Sequence, residues 1–275
     1  MPFPDTAFGY SAFRHSAFRP VLFLVGTLLS AFALGCSSSS VQDEVDIARY
    51  HLPRVRTVPH PDSLVHMTVD WKRTPPIAVD TSAAVIQRRW SAGPTNVQGG
   101  QFLTPGGYSS FATLRSKEYV LTVLDRSLGL LSLSPDVSRP RLKEALEDGY
   151  DPHIAFDVYL FIDSRYREAR RFSALKALRP SVTLEDQDGN TYDATRISRP
   201  PTPADRSVVE PGPTAFFNVS TVYFDRVVDG HDRLADVETL TLTIRAKQPR
   251  FIQVAYTWSF SSAADAPAQA NAKAP

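Results

Sequence analysis

The clearest pattern in this chain is the alternation of apolar and polar residues with a period of two. It is cleanest over residues 252–260, and it recurs over 239–244 and 64–71. Successive side chains of a β-strand point to opposite faces, so this period predicts strands with one buried and one solvent-exposed face. Strands of this kind are typical of antiparallel sheets.

Other segments are apolar on nearly every residue. The longest runs from residue 154 to 162 (IAFDVYLFI), and we expect it to form a central strand covered on both faces. Residues 119–125 (YVLTVLD) and 214–225 (TAFFNVSTVYFD) are rich in β-branched and aromatic residues, which favours two further strands.

The segment LEDQDGNTYD allows two interpretations. Its side chains at positions 186, 188 and 190 are spaced like calcium ligands, but a calcium loop needs glycine at its sixth position and glutamate at its twelfth. Here glycine comes fourth and Ile197 comes twelfth. Asp-Gly is typical of a tight turn, so the spacing favours a hairpin between strands at 182–185 and 192–197.

Helical periodicity is scarce. Residues 139–149 (RPRLKEALEDG) predict one helix, with Pro140 in the first turn and Gly149 as its stop. Short helical pieces are expected before Pro180. Many strands, long loops and few helices together predict a mainly β fold, an immunoglobulin-like antiparallel β-sandwich with one or two short helices.

The first 35 residues have a different character. Residues 21–34 carry no charge and follow Arg14 and Arg19, and fourteen residues are too few to cross a hydrocarbon layer of about 30 Å comfortably. This pattern is typical of a signal peptide over residues 1–35. Cys36, the only cysteine of the chain, follows directly.

The residues Ala33-Leu34-Gly35-Cys36 resemble the lipobox of bacterial lipoprotein precursors. The resemblance implies cleavage before Cys36 and attachment of diacylglycerol to its sulfur. Two or more acyl chains would hold the protein durably on a membrane without spanning it. By resemblance to Gram-negative sorting, Ser37 implies the outer membrane of the cell envelope.

The remaining chain divides into three parts. Residues 36–62 are rich in serine and proline, which predicts a flexible, lipid-anchored tether. Residues 63–260 hold the predicted β-sandwich. Residues 261–275 lack large apolar side chains, so we expect a disordered tail.

Charge and cysteine content narrow the function classes. The chain has 30 Lys and Arg against 29 Asp and Glu, so no global positive field favours nucleic acid. One cysteine cannot form an internal disulfide or a thiolate metal site. One basic segment is a candidate patch for lipid phosphates or an acidic partner, with a solvated, internally paired face as the alternative. Its members are Arg165, Arg167, Arg170 and Arg171.

Motifs of known chemistry are incomplete in this sequence. Neither a Gly-x-Ser-x-Gly elbow nor a phosphate-binding GxxxxGK[ST] loop is present, and no His-x-x-x-His pair occurs. Residues 229–232 (DGHD) fit a turn better than a metal loop. We therefore assign no catalytic residue, metal or cofactor, and the sequence disfavours an enzyme.

The function predicted from sequence is that of an envelope-anchored lipoprotein. Its β-sandwich would bind or scaffold an envelope protein or glycan, and the lipid on Cys36 would anchor it to the membrane. The alternative is a surface hydrolase or carbohydrate-active protein that uses carboxylates gathered by the fold.

Overall fold

The computed structural model describes most of the chain between residues 52 and 261. The described residues are 47–48, 52–73, 76–98, 110–128, 133–163, 179–198, 206–208, 215–246 and 252–261. All of them belong to one unit of the chain, Asp43–Pro275. No helix in these segments combines the length and apolar character that crossing a bilayer requires.

Within the described segments the fold is mainly β, with sixteen strands and three α-helices. The helices are α1 (Ala83–Arg89), α2 (Lys117–Leu128) and α3 (Pro135–Glu144), and a π-helical turn (Ala145–Tyr150) continues α3. The strands are β1 (Val55–Pro59), β2 (Met67–Val69), β3 (Ile77–Val79), β4 (Ser91–Ala92), β5 (Thr95–Gln98), β6 (Phe111–Leu114), β7 (His153–Asp163), β8 (Ser181–Asp186), β9 (Thr191–Asp193), β10 (Arg196–Ser198), β11 (Arg206–Val208), β12 (Ala215–Asp225), β13 (Val227–Val228), β14 (His231–Asp232), β15 (Thr239–Ala246) and β16 (Ile252–Ser261).

Two six-stranded sheets organise the fold. Sheet I has the order β1-β16-β15-β8-β9, with β5 also paired to β16. Sheet II has the order β10-β12-β7-β6-β4, with β11 also paired to β12. Among the described strand pairs of both sheets, β1 with β16 is parallel and every other pair is antiparallel. Two small hairpins, β2–β3 and β13–β14, stand outside these sheets.

The two sheets share the main hydrophobic core. Sheet I contributes Tyr256 and Trp258, and sheet II contributes Phe156 and Phe224, all fully buried. The rings of Phe156 and Trp258 have centroids 4.9 Å apart, so side chains from the two sheets touch directly. Full burial of one such side chain is worth about 1.5–3 kcal/mol, which makes this core the main source of stability.

A second, smaller core lies between the β2–β3 hairpin and the helices. Met67 and Ile77 of the hairpin pack with Leu121 of α2, Leu142 of α3 and Tyr150 of the π-helical turn. We call this group the helical core. Its helical side comes from the segment between β6 and β7, which contains α2, α3 and the π-helical turn.

Most of the predicted strands are confirmed. Strands occupy the segments predicted at 154–162, 214–225, 239–244 and 252–260. The first of these is β7, which pairs with β12 on one side and β6 on the other, as expected for a central strand. The mainly β class is therefore confirmed, although α1, α2 and α3 exceed the one or two helices expected.

The strand predicted at 119–125 is wrong, because these residues form α2. Tyr119 packs in the main core, whereas Leu121 packs in the helical core, so the helix is apolar on two faces. In a short run that is apolar throughout, hydrophobic periodicity cannot distinguish a strand from a buried helix. The helix start is set by Ser116, whose Oγ accepts a hydrogen bond from the Tyr119 amide at 3.2 Å.

Three predicted boundaries also differ. The expected tether over 36–62 includes Val55–Pro59, which instead forms β1 beside β16. The expected strand at 192–197 is split, with β9 in sheet I and β10 in sheet II. The helix expected from residue 139 begins at Pro135, because extended Ser134 and a proline in the first turn already start it.

Candidate functional site

The most connected group of charged side chains surrounds Arg226. Its members are Asp62, Tyr150, Arg226 and Asp232, and we call them the Arg226 cluster. Arg226 directly follows β12, Asp232 ends β14, and Asp62 lies three residues after β1. The Arg226 amide donates to the carbonyl of Pro152 at 3.0 Å, which fixes the cluster beside the start of β7.

The guanidinium of Arg226 binds both carboxylates through paired hydrogen bonds. Its Nε donates to Oδ1 and Oδ2 of Asp232 at 2.9 and 3.0 Å, and Nη2 donates to Oδ2 at 2.6 Å. Nη1 and Nη2 donate to Oδ1 and Oδ2 of Asp62 at 3.0 and 2.9 Å. The Arg226 side chain is 11% exposed, whereas those of Asp62 and Asp232 are 38% and 32% exposed, so a largely buried guanidinium meets two partly exposed carboxylates.

Two further groups hold Asp62 in place. The Tyr150 hydroxyl donates to Asp62 Oδ1 at 2.7 Å, and the guanidinium of Arg226 lies 5.6 Å from the Tyr150 ring centre. The Asp62 amide donates to Nδ1 of His60 at 3.3 Å, while Nε2 of His60 lies 2.7 Å from the Leu234 carbonyl oxygen. This pattern requires the His60 tautomer that carries its proton on Nε2.

These contacts set the protonation of the cluster. Burial opposes ionisation of Asp62, but hydrogen bonds from Arg226 and Tyr150 outweigh it and lower the pKa of Asp62 below its ordinary value. Hydrogen bonds from Arg226 also lower the pKa of Asp232. Burial and the neighbouring Asp62 raise the pKa of Tyr150. At neutral pH both carboxylates are therefore ionised, whereas a general acid of a hydrolase needs a carboxyl with a raised pKa.

A second charged group lies on sheet II, on the side facing away from the main core. Asp157 of β7 is buried, and its Oδ1 accepts a hydrogen bond from Thr221 Oγ1 at 2.7 Å. Its Oδ2 accepts one from Arg115 Nε at 3.1 Å, and this charge raises the pKa of Arg115. Each oxygen of the buried Asp157 carboxylate therefore accepts a hydrogen bond, one from a cation and one from a hydroxyl.

A second buried carboxylate, Glu118, contacts residues of both cores. Glu118 of α2 is fully buried, and its Oε2 accepts a hydrogen bond from the Trp90 indole Nε1 at 3.3 Å. Its Oε1 accepts a hydrogen bond from the His66 backbone amide. Glu118 therefore fastens α2 to α1 on one side and to the β2–β3 hairpin on the other.

The hairpin predicted around Asp188-Gly189 is confirmed. The Asp186 carboxylate accepts hydrogen bonds from the Asp188 and Asn190 amides, the Asn190 side chain and the Tyr192 hydroxyl. Gly189 has φ of +81°, a backbone conformation that favours glycine. The Asp186 oxygens thus face N–H and O–H donors of their own turn.

The segment 229–232 forms a hairpin turn. Asp229 and Gly230 have φ of 52° and 80°, as the tight turn between β13 and β14 requires, and Asp232 binds Arg226. In the described part of the chain, no three His, Cys, Asp or Glu side chains are grouped to hold a metal ion.

The predicted site residues lie outside the described residues. They are Cys36, Arg165, Arg167, Arg170 and Arg171. The Arg226 cluster was not predicted, because Asp62 and Arg226 are separated by 164 positions in sequence. No local motif marks such a pair, which only the sheet order brings together.

The chain was compared with protein-family models, curated proteins and solved structures, and no match was found.

Proposed function

We propose that this chain is an envelope lipoprotein whose immunoglobulin-like β-sandwich binds or scaffolds a partner without catalysing a reaction. Lipid on Cys36 anchors it, and the outer membrane is its location. The partner is an envelope protein or a glycan. The observation that carries the non-catalytic part is that Asp62 and Asp232 are both paired with Arg226, and Asp157 with Arg115.

The strand order supports the immunoglobulin-like assignment. In that sandwich one sheet has the order A-B-E-D and the other contains C-F-G. The neighbours β6-β7-β12-β10 follow the first order in sequence and in space, and β8-β15-β16 follow the second. The chain also crosses from sheet I to sheet II between β9 and β10, as a sandwich of this kind requires.

The charged groups support binding over catalysis. The Arg226 guanidinium joins Asp62 to Asp232, and these ion pairs hold the segment after β1 against residues 226–232. The second carboxylate system, Asp157 with Arg115, is paired in the same way. Side chains engaged in this way stabilise a rigid scaffold, and scaffolds of this fold commonly bind partners through their loops and faces.

The anchor is tested by metabolic labelling with a fatty-acid analogue. We expect label on the wild-type chain and none on Cys36→Ala, while the control Ser37→Ala keeps the thiol and therefore the label. Wild-type protein should fractionate with outer membranes. An unlabelled wild-type chain, or label that survives Cys36→Ala, would refute lipidation at this residue.

The binding role is tested by crosslinking in cells followed by purification of the anchored protein. One defined protein or glycan should be recovered repeatedly, and its recovery should fall when Cys36→Ala releases the chain from the membrane. If no partner is recovered under any growth condition, the binding role is wrong. Turnover of glycans or peptides by the purified chain would instead support a hydrolase.

A further inference from the structure

The tip of the β2–β3 hairpin carries an exposed tryptophan. The chain has three tryptophans, and two of them, Trp90 and Trp258, are 0% exposed. Trp71 is 46% exposed. A tryptophan left in water places a large apolar ring where it can enter an interface, and such rings concentrate at membrane surfaces and binding sites.

Hydrogen bonds fix residues 70–73 of the tip. The Asp70 amide donates to the Pro76 carbonyl at 2.8 Å, and the Arg73 amide donates to the Asp70 carbonyl at 3.0 Å. The Asp70 carboxylate accepts a hydrogen bond from the Lys72 amide at 2.9 Å. Since β2 and β3 are anchored in the helical core, Trp71 is presented on a supported turn. We call residues 70–73 the Trp71 tip.

The charge next to the ring is positive. Lys72 and Arg73 are both exposed, and neither has an ion-pair partner within the described part of the chain. The one acidic residue of the tip, Asp70, accepts a hydrogen bond from its own turn. The tip therefore presents one aromatic ring that is preceded by one carboxylate and followed by two cations, a net charge of +1.

We propose that the Trp71 tip docks on an anionic lipid surface. The ring enters the headgroup region, and the Lys72 ammonium and Arg73 guanidinium contact lipid phosphates. Two neighbouring cations match phosphates better than the uncharged hydroxyls of a sugar. This inference deepens the proposed membrane location by assigning a second contact, which orients the domain on the bilayer.

The burial of the other two tryptophans provides a direct assay. The full chain is reconstituted into vesicles of phosphatidylcholine, alone or mixed with phosphatidylglycerol, with brominated acyl chains as quenchers. Because Trp90 and Trp258 are fully buried, lipid quenching reports on Trp71. We expect quenching and a blue shift in the anionic vesicles, and loss of both signals in Trp71→Phe.

Charge variants test the electrostatic part. Each basic side chain near an anionic surface raises the binding constant for that surface about fivefold. The double variant Lys72→Gln/Arg73→Gln should therefore lower the ratio of lipid-bound to free tip about 30-fold. The matched control is Arg179→Gln/Arg245→Gln, which removes the same charge from two exposed positions in or next to sheet I. It should leave quenching unchanged. High salt should weaken quenching in the wild type.

The same assay on Cys36→Ala separates this proposal from the lipid anchor. Quenching that persists in Cys36→Ala supports the tip whether or not Cys36 is lipidated. Equal quenching in neutral and anionic vesicles, or none in either, would overturn the proposal. A blue shift produced by soluble glycan fragments without vesicles would show that the tip binds sugar instead.

Discussion

Replacement of Arg226 by methionine is the sharpest test of the Arg226 cluster. Methionine keeps much of the apolar stem but removes the guanidinium that separates the Asp62 and Asp232 carboxylates. The variant loses five hydrogen bonds. It also leaves two ionised carboxylates facing each other without a cation, which repels the segments that they belong to.

The size of the effect follows from exposure. Removing one partner of a fully buried ion pair costs about 3–5 kcal/mol, whereas an exposed pair is worth about 0–1 kcal/mol. The side chains of Asp62 and Asp232 are 38% and 32% exposed, while that of Arg226 is 11% exposed. The cluster lies between the two limits, and we expect Arg226→Met to lower the free energy of unfolding by about 2–3 kcal/mol.

The effect should depend on pH in one direction. In the folded protein the pKa values of Asp62 and Asp232 are below 3.8, their ordinary value in the unfolded chain. Their ionised forms therefore stabilise the fold above about pH 4, and this contribution is lost as the pH falls through the folded pKa values. The difference in the free energy of unfolding between wild type and Arg226→Met should be largest at neutral pH and should shrink below about pH 4.

Equilibrium unfolding in urea measures the loss in the free energy of unfolding. Urea is the suitable denaturant because it adds no ions that would screen the ion pairs of Arg226. The control is Arg233→Met, which removes a guanidinium from the neighbouring segment that lies over the Tyr192 ring. Because the Arg233 side chain has no carboxylate partner in the described part of the chain and donates one hydrogen bond, to the Asp225 carbonyl, its loss should cost at most about 1 kcal/mol. Equal losses in the two variants, or a loss that stays constant in acid, would refute the reasoning.

Three further substitutions test single contacts. Tyr150→Phe removes the hydroxyl that donates to Asp62 and should cost about 1–2 kcal/mol in urea unfolding. Glu118→Ala leaves the Trp90 indole N–H without its acceptor and should cost about 2–4 kcal/mol, with faster hydrogen exchange of that indole by NMR. Gly93→Ala would place a Cβ 2.7 Å from a backbone oxygen and should lower the melting temperature, whereas Gly149→Ala meets no atom within 4 Å and should not.

Each of these tests has an outcome that contradicts it. A double-mutant cycle of Tyr150→Phe with Asp62→Asn should show coupling, and additive losses would mean that the hydroxyl acts elsewhere. Unchanged indole exchange in Glu118→Ala would exclude the assigned acceptor. Equal melting temperatures for Gly93→Ala and Gly149→Ala would show that the close approach at Gly93 is relieved at no cost.

The long strands of sheet I, β15 and β16, could be predicted from their period of two, whereas β7 and β12 were predicted from runs of β-branched and aromatic residues. In β16 the large apolar side chains Val254, Tyr256 and Trp258 lie in the main core and alternate with small or polar residues, so this strand is visible in the sequence alone. Helix α2 was not predictable in this way. Tyr119 and Leu121 pack in different cores, so both faces of the helix are apolar and no period remains to identify it.

Short strands and the charged clusters depend on tertiary structure. In β1 only Val58 is buried, so the strand has no clear pattern in the sequence. It forms because its backbone pairs with that of β16. The members of the Arg226 cluster lie at positions 62, 150, 226 and 232, and the fold brings these distant positions together. No sequence pattern separates the charged members from the other charged residues of the chain, and only their hydrogen bonds to one another in the fold identify them.

The parallel pairing of β1 with β16 has a mechanical consequence. The register runs from Val55 beside Thr257 to Pro59 beside Ser261, so the two strands point the same way. Tension applied between the chain before Val55 and the chain after Ser261 pulls these strands in opposite directions along their length. The hydrogen bonds between them are then loaded in shear and must rupture together, which resists force better than unzipping them one at a time.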